Sequence, residues 1–208
     1  MVFFYRLAPS MNLDELHGLI QGTDEEFNAI YPKHIRRLAK KHWTPIAVAK
    51  TAALFLAKKR GTKILDIGSG VGKFCMVGAA VTPAHFTGVE QRTELFEISQ
   101  RLSASYGLDN TSYINENIIT LNFHGFQGFY LFNSFYENLD PRNGIDKKIA
   151  LNAKLYESYG IHVSGKLKSL PSGVRLATYH TDEWMVPKEF ELVYNLFDGN
   201  LKLWEKIS

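Results

Sequence analysis

Asp66, Gly68, Gly70 and Gly72 stand at every second position of Lys63-Ile64-Leu65-Asp66-Ile67-Gly68-Ser69-Gly70-Val71-Gly72. The β-branched and apolar run ahead of the glycines predicts a strand over 63–67, buried on both faces. Glycines at this spacing let the chain turn sharply and let a ligand approach bare backbone. A helix predicted over 71–81 follows, and its N-terminus offers unpaired N–H groups to an electron-rich ligand. A second apolar run, Phe86-Thr87-Gly88-Val89, ends in Glu90. A carboxylate at such a strand end can accept hydrogen bonds from both hydroxyls of a ribose. Together these residues predict a site for an adenosine-containing cofactor. A dinucleotide site uses G-x-G-x-x-G around a pyrophosphate; the pattern here is D-x-G-x-G-x-G. The competing reading is an unliganded strand-to-helix turn followed by an ordinary surface glutamate.

This pattern resembles the first motif of the class I methyltransferases, which bind S-adenosylmethionine, and the resemblance extends along most of the chain from about Trp43. It implies that the turn carrying Gly68, Ser69, Gly70 and Gly72 lies against the methionine and ribose portion. Asp66 would help hold the methionine amino end, directly or through water; Glu90 would bind the ribose, and Gln91 would sit near the adenine. After the third strand the family usually has an acid contacting the adenine amino group. The best alignment of Ile114-Asn115-Glu116-Asn117-Ile118 puts Asn117 there, beside Glu116. Trp43-Thr44-Pro45 is similar to the aromatic-Thr-Pro helix start that several methyltransferases place over the cofactor. Thr44 would then cap both helix and ligand, with Trp43 on the acceptor side; as a plain helix start the segment needs no ligand.

The resemblance places the loop after the fourth strand, Asn133-Ser134-Phe135-Tyr136, beside the methyl donor. Methyl transfer is a one-step displacement at a sulfonium, so the protein chiefly aligns a nucleophile, and a base is needed only for a protonated one. Asn133 and Tyr136 are the expected positioning pair, Asn133 through an amide that both donates and accepts. Phe135 would wall the acceptor pocket or stack on a planar group. Asn-x-x-Tyr resembles the N-P-P-Y motif of amino-directed adenine methyltransferases, although Ser134 and Phe135 replace both prolines. N-x-F, like the full string DIGSGVG, is similar to the non-SET histone lysine methyltransferases. An ordinary strand-end loop with two core aromatics is the alternative. His180 and Asp182, after the fifth strand, would reach the target pocket, although a lone histidine is more often structural.

With 208 residues, 45% of them hydrophobic, the chain is expected to form one domain with a full core. No apolar run approaches the length of a membrane span, and the first residues lack a signal-peptide pattern, so a cytoplasmic protein is the default expectation. The single cysteine, Cys75, rules out an internal disulfide and a cysteine-based zinc site. The remaining histidines have no metal-binding spacing, and no G-x-S-x-G elbow occurs; no metal is expected. The net charge of +3 conceals ten Lys or Arg, and no Asp or Glu, between Phe27 and Lys63. Residues 33–63 are therefore a candidate surface for an acidic partner or nucleic acid, or simply a solvated helix face.

Capping signals at Asn12 or Ser10 and at Thr23 predict helices over 13–20 and 24–30. Pro32 would begin a basic helix, and Thr44-Pro45 a helix to about residue 59. Beyond the glycine turn, helices are expected over 93–106 and within 146–159. Strands are expected over 112–115, 128–133 and 174–180, with a terminal hairpin around Asp198-Gly199-Asn200. The alternation predicts an α/β fold: a doubly wound, mostly parallel sheet with helices on both faces and an antiparallel C-terminal hairpin. Seven strands are what the resemblance implies. Residues 1–60 would form a helical cover of the same domain and residues 61–208 its cofactor-binding body. The function these readings favour is S-adenosylmethionine-dependent transfer of a methyl group to a protein side chain or small molecule. The alternatives are an RNA or DNA methyltransferase guided by the basic helices, a catalytically idle fold serving as a binding module, and a nucleotide-binding oxidoreductase, against which the glycine spacing argues.

Overall fold

The computed structural model describes residues 12–132, 134–140, 144–146 and 151–208. Helices α1 (Leu13–Gln21) and α2 (Asp24–Asn28) each open on a reciprocal capping box, Asn12 with Glu15 and Thr23 with Glu26. The basic segment is split into α3 (Lys33–Arg36) and α4 (Ala39–His42), neither with a side-chain cap. Helix α5 (Ile46–Leu56) follows Pro45, as the Thr-Pro start predicts, and stops short of residue 59.

The body then alternates: β1 (Lys63–Ile67), α6 (Lys73–Val81), β2 (His85–Val89), α7 (Thr93–Ser105), β3 (Thr111–Ile114), β4 (Gly128–Phe132), α8 (Ala153–Lys168), β5 (Arg175–Tyr179), β6 (Phe190–Leu196) and β7 (Leu201–Lys206). The seven strands lie in the order β3-β2-β1-β4-β5-β7-β6. The five from β3 to β5 are parallel, and β7 runs antiparallel to both β5 and β6. The chain winds outward from β1 to β3, then returns to place β4 on the other side of β1. This reversal opens a crevice at the carboxyl ends of β1 and β4.

Side chains alternate across the sheet. Ile64, Phe86, Tyr130 and Leu203 face a core shared with α5, α6 and α7; Leu65, Ile67, Leu131 and Trp204 face the core built on α8. Leu16, Phe27, Tyr31 and Ile35 from the N-terminal helices belong to the first core. The described part of the cover is thus continuous with the body. His17 Nε2 lies 2.9 Å from the Ala80 carbonyl, at the far end of α6.

Helix α8 departs from expectation. It starts at Ala153, capped by the Asn152 side chain, and continues to Lys168 rather than ending near 159. Gly160 does not terminate it: a Cβ there would lie 2.2 Å from the Trp184 ring. The glycine makes room for an indole, and the buried stripe of Tyr156, Tyr159, Val163 and Leu167 runs past it. On β6, Leu192 faces Trp204 and Tyr194 faces Leu203, leaving Val193 as one surplus residue.

Candidate cofactor and acceptor site

All three glycines of the turn are left-handed, with φ of 75° at Gly68, 54° at Gly70 and 76° at Gly72. They differ in what surrounds them. A Cβ on Gly72 would lie 2.7 Å from both Ser99 Cβ and Tyr113 Oη, whereas one on Gly70 would meet nothing within 4 Å. Gly72 is required by packing, and Gly70 leaves its bare face toward open space. The Gly68 and Ser69 amides donate to the Val89 carbonyl, each at 3.0 Å. The Gly70 amide donates to Glu90 Oε2 at 3.0 Å, which joins the turn to the end of β2.

Above the turn lies a cavity of about 340 Å³, within the range of small-molecule sites. Gly68 and Gly70 form part of its wall, with Glu90, Gln91, Asn117, Phe135 and Tyr136. Trp43, Lys41 and His42 reach it from the cover. The Asn117 amide donates to Gln91 Oε1 at 3.2 Å and to Tyr159 Oη at 2.8 Å. The two residues expected near adenine are therefore bonded to each other. Phe135 stacks on Tyr159 with ring centroids 4.9 Å apart, and Trp43 packs on Tyr31 at 4.5 Å.

Glu90 is 6% exposed. Burial pushes its carboxyl above the usual range; the Arg92 amide and guanidinium and the Gly70 amide pull it back, and Glu137 adds to the rise. Its Oε1 accepts from the Arg92 amide at 2.8 Å. Each oxygen thus takes one backbone donor, and a carboxylate oxygen has capacity for a second.

Four expected cofactor residues do not line the cavity. Asp66 alternates onto the α6 face of β1, where it is 4% exposed and accepts from the Cys75 thiol at 3.5 Å. Burial holds its carboxyl up at about 7, with the Cys75 hydrogen bond opposing and Glu90 reinforcing the rise. Thr44 is buried and hydrogen-bonded to Tyr130 Oη at 2.8 Å, and Tyr130 stacks on Phe74 of α6 at 3.8 Å. The Ser69 hydroxyl is buried with no hydrogen-bond partner among the described residues. Gly72 begins α6. Asn133, the expected positioning amide, lies outside the described residues. Its neighbour Ser134 donates to the Ile67 carbonyl at 2.7 Å and so ties the β4 loop to β1.

Arg92 and Glu137 also line the cavity and carry no motif. Arg92, 6% exposed, pairs with Glu137 at 2.7 Å, Asp146 at 3.3 Å and Glu90 at 4.0 Å. A more open, polar groove adjoins the cavity, with Tyr136 common to both; His180, Asp182, Asn200 and Lys202 line it. Phe135 and His180 have left-handed backbones, φ 74° and 47°, at the ends of the neighbouring strands β4 and β5. Among the described residues no cluster of His, Cys, Asp or Glu is placed to hold a metal, and no helix is long and apolar enough to cross a membrane.

The strand order and the crevice give the chain the fold of the class I, S-adenosylmethionine-dependent methyltransferases. No family model matches the sequence, and no curated protein matches it. Solved structures do. TrmN from Thermus thermophilus matches over 83% of this chain and 52% of its own, at 15% identity and a TM-score of 0.59. An RNA methyltransferase from Salinibacter ruber, in complex with S-adenosyl-L-homocysteine, matches over 79% of this chain and 92% of its own, at 15% identity and a TM-score of 0.53. The N-methyltransferase NodS from Bradyrhizobium japonicum WM9 matches over 76% of this chain and 94% of its own, at 10% identity and a TM-score of 0.52. The chain spans about half the length of TrmN and 43% of the [4+2]-cyclase SpnF.

Proposed function

We propose that this chain is an S-adenosylmethionine-dependent methyltransferase. The observation that carries the reading is the Gly70–Glu90 hydrogen bond at the base of the cavity. It sets a bare backbone and a ribose-binding carboxylate side by side, at the crevice where this fold binds ligands. The residues fit the cofactor: the open space over Gly70 takes the ligand, Glu90 accepts from the ribose hydroxyls, and Gln91 with Asn117 borders the adenine. Bound there, S-adenosylmethionine would supply an electrophilic methyl group on a sulfonium. The chain's own part is to hold and dehydrate. Trp43 and Phe135 cover the cavity with aromatic surface, and Tyr136, with Asn133 beside it in sequence, positions the acceptor. Asp66, bonded to Cys75 of α6 behind the wall, takes no direct part in this arrangement. A protein side chain or small molecule entering past Tyr136 is the favoured acceptor.

Isothermal titration of the purified protein with S-adenosylhomocysteine tests the reading. Binding is expected, and Glu90→Ala should weaken it strongly by removing both ribose acceptors. No binding by the unaltered chain would sink the proposal. Binding without methyl transfer to any fraction of a lysate would favour an idle binding module instead.

A second reading, a nucleic-acid acceptor, is favoured by one observation: Lys41 and His42 bring the acid-free segment to the cavity wall. Part of that segment is structural, since Arg36 bonds the Ala29 and Tyr31 carbonyls and Arg37 those of His34 and Ile145. Lys33, Lys40 and Lys41 remain exposed. This reading expects RNA or DNA binding that weakens steeply with salt; absent or salt-insensitive binding removes it.

A further inference from the structure

Arg92 joins three segments at one cavity. Its own backbone amide donates to Glu90 Oε1 at 2.8 Å, and its guanidinium lies 4.0 Å from the same carboxylate. The guanidinium also donates to Glu137 Oε2 at 2.7 Å and to Asp146 Oδ2 at 3.3 Å. Glu137 Oε2 in turn accepts from the Ile145 amide at 3.3 Å. A planar guanidinium can serve several carboxylates from fixed directions, which an ammonium cannot. The group is buried, so each charge depends on its partners.

We propose that Arg92 is the positioning residue of the donor site: it orients the Glu90 carboxylate toward the ribose, and it shares that hold with Glu137 on the acceptor side. The proposal rests on the methyltransferase reading. The groups facing Glu90 are the Gly70 amide from the turn, Arg92 from its own strand end, Glu137 from the β4 loop and Asp66 from β1. Lys41 and His42 line the same cavity from α4. Only ionised Glu90 accepts fully from two hydroxyls. Arg92 favours that form and Glu137 opposes it. Removing one or the other therefore moves the pH dependence of binding in opposite directions. A role confined to packing would move neither.

The experiment is calorimetric titration with S-adenosylhomocysteine across about pH 5.5 to 9, on the full chain and on Arg92→Met, Arg92→Lys and Glu137→Gln. Arg92→Met is expected to bind several-fold more weakly at the acid end of the range and to recover toward the alkaline end, its midpoint shifted upward. Arg92→Lys should fall between, with charge retained and the fork lost. Glu137→Gln should shift the midpoint downward; because it keeps the shape and the guanidinium, it tests the proposal even where Arg92→Met fails to fold. Parallel curves for all four proteins, or shifts of the same sign for Arg92→Met and Glu137→Gln, overturn the proposal while leaving the donor reading intact. Failure of the unaltered chain to bind overturns both.

Discussion

Lys73 Nζ lies 2.5 Å from Asp24 Oδ1 and 2.8 Å from Asn28 Oδ1. Lys73 directly follows the last glycine of the turn, and Asp24 opens α2 of the cover. The same Asp24 oxygen accepts from the Ile46 amide at the start of α5. One carboxylate thus fastens the cover, the helix beneath it and the glycine turn. Lys73 is 3% exposed, and burial pulls its ammonium below the usual lysine range.

Asp24→Ala leaves that ammonium without its ionic partner and frees the Ile46 amide. A loss of about 3 kcal/mol is expected in urea denaturation. Adding Lys73→Met should recover part of it, since the buried charge is gone. A double variant no more stable than Asp24→Ala would show that the pair is not coupled.

Two glycines of the same turn should respond differently to one methyl group. Gly72→Ala combines a left-handed backbone with contacts of 2.7 Å to Ser99 and Tyr113, and about 3 kcal/mol of stability should be lost. Gly70→Ala meets open space and should cost only about 1 kcal/mol. Its methyl group stands where the ligand is proposed to lie, so S-adenosylhomocysteine affinity should fall at least about tenfold. Equal stability losses would contradict the division between a packing glycine and a ligand-facing one.

Asp66 predicts a pH dependence. Burial holds its carboxyl at about 7 in the fold, well above the 3.8 of an ordinary aspartate. Between those values the folded chain keeps the proton and the unfolded chain releases it, so this contribution is full below about pH 4 and is lost as pH rises to about 7. Asp66→Asn keeps an acceptor for the Cys75 thiol and removes the titration. At pH 8 it should be more stable than the parent, by at most on the order of 4 kcal/mol. Its urea midpoint should also vary less between about pH 5 and 8. Identical pH profiles would mean that Asp66 is already ionised in the fold.

The chain announces its topology through local signals. The D-x-G-x-G-x-G turn, the strand-helix alternation and the Asp198-Gly199 hairpin are each decided within a few residues, and each is found in the seven-stranded sheet. The cavity wall is legible where a residue lines it from its own strand end, as Glu90 and Gln91 do. Asp66 and Thr44 are read as ligand contacts on local pattern, but tertiary packing turns them to Cys75 and Tyr130. Arg92 escapes notice because its partners, Glu137 and Asp146, stand 45 and 54 residues away, and no periodicity encodes such a meeting. The run of α8 past residue 159 goes unread because the Trp184 ring that Gly160 accommodates arrives from beyond the helix.

The surplus Val193 has a consequence for the molecule's company. Strand β6 is one of the two edge strands, with Leu192, Val193 and Tyr194 exposed, and its sequence offers no proline or lysine as a guard. The bulge breaks the row of main-chain groups at mid-strand, so a foreign strand that docks in phase with one half is out of phase with the other. One extra residue thereby divides an apolar rim into two short, mismatched docking edges.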